Sequence, residues 1–382
     1  MSTPMGGGTG AERRPNRPRL PSIRVSVLLF VTLYAFAALQ TTDGAQFNLR
    51  INKYYYLLQT QWGKPAQSLY LALDLGTRDL WVYGGMCYVI SKQCKMGTND
   101  YYKKANSTTY SARSGQYTLD YNTIYQWNGS VSMDVSNDQF AVGQSGLGTQ
   151  DFGLVKQADW SMYKSVNTSG IFGLGIQSAT NTTSYLQSFL DLGRTNSATA
   201  NYNITLYSNR NTSTGVLTVG PMDTTNCNSN WVYIRTIANG SGRRYWEVPL
   251  TNFRFGTYNT GLSGHSAIFS TLISYMVVPP SVFAQIRPRV RQVVFDYSRT
   301  HNLVDCNDRA KFPNFTLTIG GTPFNVTPWE YIWQTPSNFC ILKIEPSGGG
   351  NRWILGYPFH RGHCELFNYQ TYTIGIVRSR AS

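Results

Sequence analysis

Charged side chains are scarce in this chain of 382 residues, at 14% of the total, and long apolar runs with helical spacing are hard to find. Few helices are therefore expected. Turn formers are plentiful instead, with 35 glycines and 16 prolines, and aromatic residues reach 14%. This balance predicts a largely β protein, and a hydrophobic content of 41% is enough to build full cores for two or three domains.

Several motifs that would assign other functions are also missing. The cysteines form no CxxC pair of a zinc ribbon or redox site, and the formal charge of +14 comes with no nucleic-acid reader motif. His265 and Ser270 lack the Gly-x-Ser-x-Gly elbow of a serine hydrolase. His360 and His363 would diverge on a β segment rather than hold zinc. Neither nucleic acid, nor a metal, nor another cofactor is expected.

The N-terminal region has a composition of its own. Residues 1–24 are rich in Gly, Pro and Arg, which predicts a disordered basic arm. Residues 25–39 are uncharged, and this length suits a signal peptide that is cleaved between about residues 38 and 46. The alternative is a single-pass signal anchor at 25–39, with the folded part outside the cytoplasm, because the basic arm would stay cytoplasmic.

Cysteines and sequons both indicate the secretory pathway. The six cysteines are an even number and fit an oxidising compartment, although sequence alone allows fifteen connectivities. N-linked glycans are expected on a secreted or lumenal protein with nine Asn-x-Ser/Thr sequons, at Asn106, Asn128, Asn167, Asn181, Asn203, Asn211, Asn239, Asn314 and Asn325.

The stretch LALDLGTRDLWV, residues 71–82, places Asp74 between an apolar strand pattern and a glycine. A carboxylate at such a strand end is positioned to face a cleft. The stretch resembles the first active-site loop of the pepsin family of aspartic peptidases. A second stretch, AIFSTLISYMVVP at residues 267–279, resembles the family's second loop, but Ser270 stands at its aspartate position and Leu272 at its glycine position.

Other segments extend the resemblance over roughly residues 53–378. They include the opening strand at 53–67, a flap-like hairpin at 116–135 with Tyr121 at the flap tyrosine, and the bracing elements SGIFGLG (169–175) and WILGYPF (353–359). Residues 74 and 270 are 196 positions apart, and residues 171 and 354 are 183 apart, as expected of an internal repeat.

The resemblance implies an all-β, bilobal fold with a central cleft. The N-terminal lobe with its flap is expected at 53–205 and the C-terminal lobe at 206–382. It implies Asp74 and Ser270 at the catalytic positions, and substrate contacts from Gly76, Thr77, Tyr121 and Thr271. It also implies the disulfides Cys87–Cys94, Cys227–Cys364 and Cys306–Cys340.

The departures from the family pattern cluster at the cleft. Besides Ser270 and Leu272, Asn122 and Ile124 replace flap glycines, and Tyr357 stands where the family has an aspartate after Ile-Leu-Gly. Only about a dozen residues separate the apolar segment at 25–39 from the opening strand at 53–67, which is too few for an inhibitory propeptide of the family's usual length. No Asp or Glu occurs from Val248 through Phe295, and Asp79 and Asp120 are expected to be surface or structural groups.

These observations predict a monomeric, catalytically impaired or inactive peptidase homologue that binds a peptide, protein segment or glycan in its cleft. The alternative is an active aspartic endopeptidase in which another acid, or a partner chain, replaces the missing aspartate. A third hypothesis is a membrane-anchored adhesion or packaging protein for which cleft chemistry is incidental.

Overall fold

The structure is a computed structural model that describes residues 45–89, 92–93, 101–121, 129–159, 168–177, 184–193, 202–238, 242, 245–290, 292–295, 302–337 and 339–380. Residues 1–41 and 42–382 form separate units, and the first of these lies outside the described residues. The predicted basic arm, the apolar segment at 25–39, Cys94 and the hairpin tip with Asn122 and Ile124 also lie outside them.

Strands dominate the described residues, as the composition predicts. The first half of the chain contains β1 (Ala45–Asn52), β2 (Tyr55–Trp62), β3 (Gln67–Asp74), β4 (Leu80–Val89), β5 (Lys92–Gln93), β6 (Ser111–Asp120), β7 (Ser130–Val142), β8 (Ser145–Ala158), β9 (Gly170–Gly173), β10 (Asn203–Ser208) and β11 (Thr214–Val219).

The second half contains β12 (Val232–Arg235), β13 (Glu247–Phe255), β14 (Tyr258–Phe269), β15 (Met276–Val278), β16 (Gln292–Phe295), β17 (Asn302–Val304), β18 (Phe315–Ile319), β19 (Thr322–Val326), β20 (Ile332–Gln334), β21 (Cys340–Leu342), β22 (Ile344–Pro346), β23 (Arg352–Leu355), β24 (His363–Asn368) and β25 (Thr373–Arg378).

Helices are few and short among the described residues. The α-helices are α1 (Ser184–Asp191), α2 (Pro280–Ile286), α3 (Pro328–Tyr331) and α4 (Tyr357–His360), and the 3-10 helices are Lys104–Asn106, Arg287–Arg289 and Cys306–Lys311. The longest, α1, buries Tyr185, Leu186, Phe189 and Leu190, which recur on one face at helical spacing. No helix within the described residues has the length and apolar content needed to cross a membrane.

The strands of the described residues form three sheets. A fourteen-stranded sheet runs in the order β12-β25-β24-β10-β11-β1-β2-β3-β9-β4-β8-β7-β6, with β5 beside β4. A seven-stranded sheet, β19-β18-β13-β14-β23-β15-β22, lies in the second half, and a four-stranded sheet has the order β16-β17-β21-β20. The all-β fold is confirmed, and the lobe boundary predicted at 205/206 falls inside β10, a central strand of the largest sheet.

One strand arrangement occurs twice and explains where the two loops lie. In the first half, β9 lies between β3 and β4, parallel to β3 and antiparallel to β4. In the second half, β23 lies between β14 and β15 with the same directions. A chain that leaves β3 or β14 must cross over the inserted strand before it pairs again. The crossing segments are the loops that follow Asp74 in β3 and begin at Ser270 after β14, so the internal repeat is present in the structure.

Close backbone packing braces both loops, and a glycine makes it possible each time. A Cβ at Gly173 would lie 2.5 Å from the Asp79 amide nitrogen, and a Cβ at Gly356 would lie 2.1 Å from the Tyr275 carbonyl oxygen. Both distances are too short for any side chain. The Gly in each bracing element therefore allows the inserted strand to approach the loop that it supports.

Two of the three predicted disulfides are confirmed. Cys227 bonds to Cys364 with a Cα–Cα distance of 5.9 Å, and Cys306 bonds to Cys340 with a Cα–Cα distance of 5.2 Å. The bond from Cys87 to Cys94 stays a prediction because Cys94 lies outside the described residues.

Candidate active site

Asp74 is the last residue of β3 and is fully buried. One carboxylate oxygen accepts a hydrogen bond from the Gly76 amide at 2.8 Å, and the other accepts one from the Thr77 hydroxyl at 3.0 Å. The Asp74 carbonyl accepts a further bond from the Leu174 amide, in the bracing element, at 2.6 Å. The carboxylate is thus held in one orientation by its own loop.

Ser270 occupies the matching position after β14 and is also fully buried. Its hydroxyl accepts a hydrogen bond from the Leu272 amide at 3.3 Å, and its amide donates to the Leu355 carbonyl at 3.0 Å. The bond from Leu272 corresponds to the bond from Gly76 to Asp74 in the first loop. The second loop therefore keeps the turn of the first, although a serine replaces the carboxylate and a leucine the glycine.

Thr271 connects the two loops. Its hydroxyl donates to the Leu73 carbonyl at 2.6 Å and accepts from the Leu75 amide at 3.2 Å. The equivalent residue of the first loop is Leu75. Its side chain has no hydroxyl, so it cannot make the matching hydrogen bonds to the backbone of the second loop. Thr271 and Thr77 are buried and stabilise the loops. Substrate contacts from Thr271, Thr77 and Gly76 stay a prediction.

Leu272 extends into an apolar group that we call the interlobe cluster. Leu272 and Ile273 from the second loop join side chains of the first lobe there, and both are almost fully buried. The cluster consists of Leu57, Ala72, Trp81, Tyr83, Cys87, Leu119, Tyr121, Val131, Met133, Val155, Ala158, Ile171, Leu272, Ile273 and Ile354. A glycine at position 272 would contribute no side chain to this packing.

The hairpin arms match the sequence prediction. Strands β6 and β7 pair in antiparallel register from Gln116↔Asp134 to Asp120↔Ser130. Tyr121 follows β6, is buried in the interlobe cluster, and accepts a hydrogen bond from the Trp81 indole nitrogen at 2.9 Å. Burial raises the pKa of the Tyr121 hydroxyl well above its usual value, and the charge of Asp74 raises it further. Tyr121 is therefore neutral and close to the Asp74 carboxylate.

A buried histidine–glutamate pair contacts the second loop, and no motif in the sequence marks it. The His360 Nε2 lies 3.0 Å from the Ser270 carbonyl oxygen, and its Nδ1 lies 3.2 Å from a carboxylate oxygen of Glu365. Both side chains are fully buried, and burial raises the pKa of Glu365, an effect that His360 opposes. No sequence pattern joins these residues, because the contact depends on how α4 and β24 pack below β14.

The other candidates have different partners. His265 accepts a hydrogen bond from the Trp353 indole nitrogen at 3.1 Å. Asp79 is fully buried, whereas Asp120 is exposed. His363 is buried and its Nδ1 lies 2.9 Å from the Phe359 carbonyl oxygen. Burial lowers the pKa of His363 to about 3, so the ring stays neutral, and no group of three or more possible metal ligands occurs within the described residues.

A second ionisable pair lies near the end of the second loop. The Lys343 Nζ lies 3.9 Å from the ring centre of Tyr54, 4.2 Å from that of Tyr275 and 5.3 Å from that of Trp333. Burial lowers the pKa of Lys343 to about 8 and raises the pKa of Glu345, which is hydrogen-bonded to Tyr275. Tyr275 also packs against the interlobe cluster, so Glu345 is one side chain away from that cluster.

Lys343 gives a pH prediction for stability. Since its folded-state pKa of about 8 is below the ordinary value of 10.5, the unfolded chain binds more protons between these pH values. The free energy of unfolding should therefore rise with pH, by about 2 kcal/mol from about pH 7.5 to pH 9.5, relative to Lys343→Met. Urea unfolding of both proteins measures it. A difference that stays constant over this range would contradict the prediction.

Comparisons with known proteins agree with this geometry. The protein-family model described as "Eukaryotic aspartyl protease" matches residues 55–379. Aspartic protease 1 of Caenorhabditis elegans is 27% identical over 363 residues, which cover 90% of this chain and 87% of the relative. Gastricsin of Oryctolagus cuniculus is 24% identical over 331 residues, covering 84% and 81%. Gastricsin of Homo sapiens is 23% identical over 331 residues, with the same coverage.

The family match covers most of the chain, and the repeated strand arrangement places Asp74 and Ser270 at equivalent loop positions. The match begins at β2 and ends one residue after β25, so it includes both loops and both bracing elements. This chain belongs to the eukaryotic aspartyl protease family.

Proposed function

We propose that this protein does not hydrolyse peptides and that its interlobe cleft binds a peptide or protein segment without cleaving it. The observation that carries the proposal is the hydrogen-bonded position of Ser270. Its hydroxyl lies in the loop position equivalent to the Asp74 carboxylate and accepts the equivalent amide bond.

Chemistry explains why the replacement matters. Hydrolysis by two aspartates needs one ionised carboxylate, which takes a proton from water, and one protonated carboxyl, which supports the carbonyl oxygen. Two carboxyls about 3 Å apart supply both forms because like charges cannot both ionise easily. A serine hydroxyl cannot store and return a proton in this way. The loss of such acid-base assistance costs about 10²- to 10⁴-fold in rate.

Leu272 supports the same conclusion by its position. Its side chain is 1% exposed and belongs to the interlobe cluster together with Trp81 and Tyr121. Apolar packing beside Asp74 leaves less room for an attacking water and for the scissile bond. The hairpin arms and both lobes are kept, which supports a binding role for the rest of the cleft.

Peptide selection followed by hydrogen exchange tests the binding role. A random peptide library would first be selected against the chain near neutral pH, and the bound peptides should be recovered intact and sequenced. Protection of backbone amides in residues 111–121 and 129–142, the two hairpin arms, is expected when peptide is added. Recovery of truncated peptides, or protection confined to other surfaces, would contradict the proposal.

The alternative function is an active aspartic endopeptidase with a non-standard second acid. Glu345 is the observation that favours it, since burial raises the pKa of this carboxyl and Tyr275 connects it to the interlobe cluster. Glu345→Gln keeps the shape of the side chain and removes its ability to give up and take back a proton. An acid-dependent cleavage that both Glu345→Gln and Asp74→Asn abolish would support this alternative.

Localisation and modification follow from the disulfides and sequons. The two disulfides fit an extracellular or lumenal protein. We propose a secreted or lumenal glycoprotein that is monomeric and that has a signal peptide at 25–39; a membrane anchor there is the alternative. The sequons at Asn128, Asn167, Asn181 and Asn239 lie outside the described residues.

Glycan occupancy should follow exposure at the five described sequons. Asn203 is buried in β10, where it pairs with Asn368 of β24, so the strand cannot accommodate a bulky glycan. Mass mapping of glycopeptides from protein made in a eukaryotic secretory host should find Asn203 unmodified. An occupied Asn203 in folded protein would contradict the prediction, whereas occupancy is expected at the exposed Asn106, Asn211, Asn314 and Asn325.

A further inference from the structure

Four arginines that are far apart in the sequence meet on the second half of the fold. Arg210 follows β10, Arg309 lies in the 3-10 helix Cys306–Lys311, Arg361 follows α4, and Arg378 ends β25. All four side chains are partly exposed, and we call them the arginine patch. None of them belongs to either active-site loop.

Shared acceptors show how close the guanidinium groups are. Arg309 Nη2 and Arg361 Nη1 both donate to the Trp329 carbonyl, at 2.9 and 3.1 Å. Arg378 Nη2 and Arg210 Nη1 lie 2.8 and 3.7 Å from the same carboxylate oxygen of Glu330. Arg361 also donates to the Arg210 carbonyl at 2.7 Å, which joins the two pairs.

Negative charge at the patch is insufficient to balance these groups. Glu330 is buried beneath the arginines, and Asp305 lies on the wall of an adjacent groove, where it accepts a hydrogen bond from the Asn307 amide. Asp308 is paired with Lys311. Among the described residues, Arg210 and Arg378 contact the Glu330 carboxylate and Asp305 lines the same groove as Arg309, so two carboxylates accompany four guanidinium groups. Burial and the like charges of Arg361 and Arg210 lower the pKa of Arg309 to about 10.

An aromatic groove adjoins the patch. It has a volume of about 440 Å³, and Arg309, Trp329 and Phe339 all line it. Trp329 and Phe339 are 48% and 59% exposed, which is unusual for side chains of this size. The Arg309 guanidinium lies 4.2 Å from the ring centre of Trp329, so the cationic and aromatic surfaces are continuous. The side-chain amides of Asn307 and Gln334 also line the groove.

We infer that the arginine patch and this groove together bind a sulfated polysaccharide. Guanidinium groups bind sulfate oxygens through paired, charge-assisted hydrogen bonds. The exposed rings of Trp329 and Phe339 offer flat apolar faces to the C–H groups of sugar rings, and amide side chains can pair with hydroxyl groups. An acidic peptide would use the arginines but has no comparable use for two open rings beside polar groups.

The test is a binding titration of the full chain with a sulfated dextran oligosaccharide, its unsulfated counterpart, and a polyglutamate peptide. Arg309→Gln should weaken binding of the sulfated sugar by at least about tenfold, the loss expected for a charge-assisted hydrogen bond. Arg254→Gln is the matched control, because it removes the same charge from an exposed position on β13 and should change affinity less than about twofold.

Trp329→Ala distinguishes recognition of the sugar rings from recognition of the sulfate groups. It should weaken binding of the sulfated oligosaccharide severalfold and leave weak binding of inorganic sulfate unchanged. Because Trp329 is half exposed, this variant keeps the test informative if Arg309→Gln fails to fold. Equal losses in Arg309→Gln and Arg254→Gln would show attraction by net charge alone and overturn the inference. Equal affinity for polyglutamate, with the same response to Trp329→Ala, would overturn it in favour of an acidic peptide.

Discussion

Replacing Ser270 by aspartate and Leu272 by glycine together is expected to create acid-dependent peptidase activity that the unmodified chain lacks. The second loop already has the turn and the amide donor that an aspartate at position 270 would need. The amide of residue 272 bonds to the Ser270 hydroxyl just as the Gly76 amide bonds to Asp74, so an aspartate at 270 would meet an existing donor. Thr271 holds the two loops together through Leu73 and Leu75.

Both substitutions are needed for different reasons. Ser270→Asp supplies the second carboxyl, and general acid-base assistance of this kind is worth about 10²- to 10⁴-fold. Leu272→Gly removes a side chain that is 1% exposed from the interlobe cluster and opens space beside the carboxyls. Ser270→Asp alone should therefore remain inactive, while the double variant should cleave an unfolded protein substrate measurably at about pH 3 to 5, where carboxyls titrate.

The controls for this experiment follow from the same geometry. Adding Asp74→Asn to the double variant should abolish the new activity, because one carboxyl again remains. Leu272→Gly also empties space in a packed cluster, at a cost of about 2 to 5 kcal/mol, so thermal unfolding must show that the variant is folded at the assay temperature. A folded double variant that is inactive would mean that the cleft has lost more than these two side chains.

Removing the Cys227–Cys364 disulfide is expected to give the largest loss of stability. It closes a loop of 137 positions, and both cysteines are almost fully buried. In the chain-entropy model such a loop is worth up to about 5 kcal/mol, and measured losses for native disulfides are about 2 to 5 kcal/mol. The bond also joins β24 to the segment that precedes β12. Both strands lie at the edge of the largest sheet that runs β12-β25-β24.

The Cys306–Cys340 disulfide provides a matched control. Its loop spans 34 positions, so the same model gives about 1 kcal/mol less for its removal. Alanine is the suitable replacement in both pairs, since a serine hydroxyl would add a buried polar group at Cys227 and Cys364. Urea unfolding at neutral pH measures both losses. A larger loss for the shorter loop would contradict the entropic explanation.

Composition predicted a largely β protein, and the family resemblance predicted the repeated fold. The run ending at Asp74 and the elements SGIFGLG and WILGYPF, read through the family resemblance, predicted an internal repeat. The structure contains that repeat as the arrangement of β3, β9 and β4 and of β14, β23 and β15. These segments are recognisable in the sequence for two reasons. An inserted strand that is buried on both faces needs apolar residues, and only a glycine can lie directly against the backbone of the loop. The two disulfides came from the family resemblance and not from the spacing of the cysteines.

Contacts between distant segments could not be predicted in this way. The replacement of a loop glycine by Leu272 was visible in the sequence, but its packing with Trp81 and Tyr121 was not. The pairing of His360 with Glu365, the rings around Lys343 and the arginine patch have no period or motif. The four patch arginines come from four separate elements, so no run of basic residues marks them in the sequence.

Incubation of the unmodified chain with an unfolded protein substrate at about pH 3 to 5 tests the central claim most directly, since carboxyl pairs act near their pKa values of roughly 4. Mass spectrometry would compare the chain with Asp74→Asn, each with and without pepstatin. We expect identical, background-level cleavage in all four samples, because a single carboxylate and Ser270 cannot exchange the required protons. Cleavage that pepstatin inhibits and that Asp74→Asn abolishes would contradict the account and support the active-peptidase alternative.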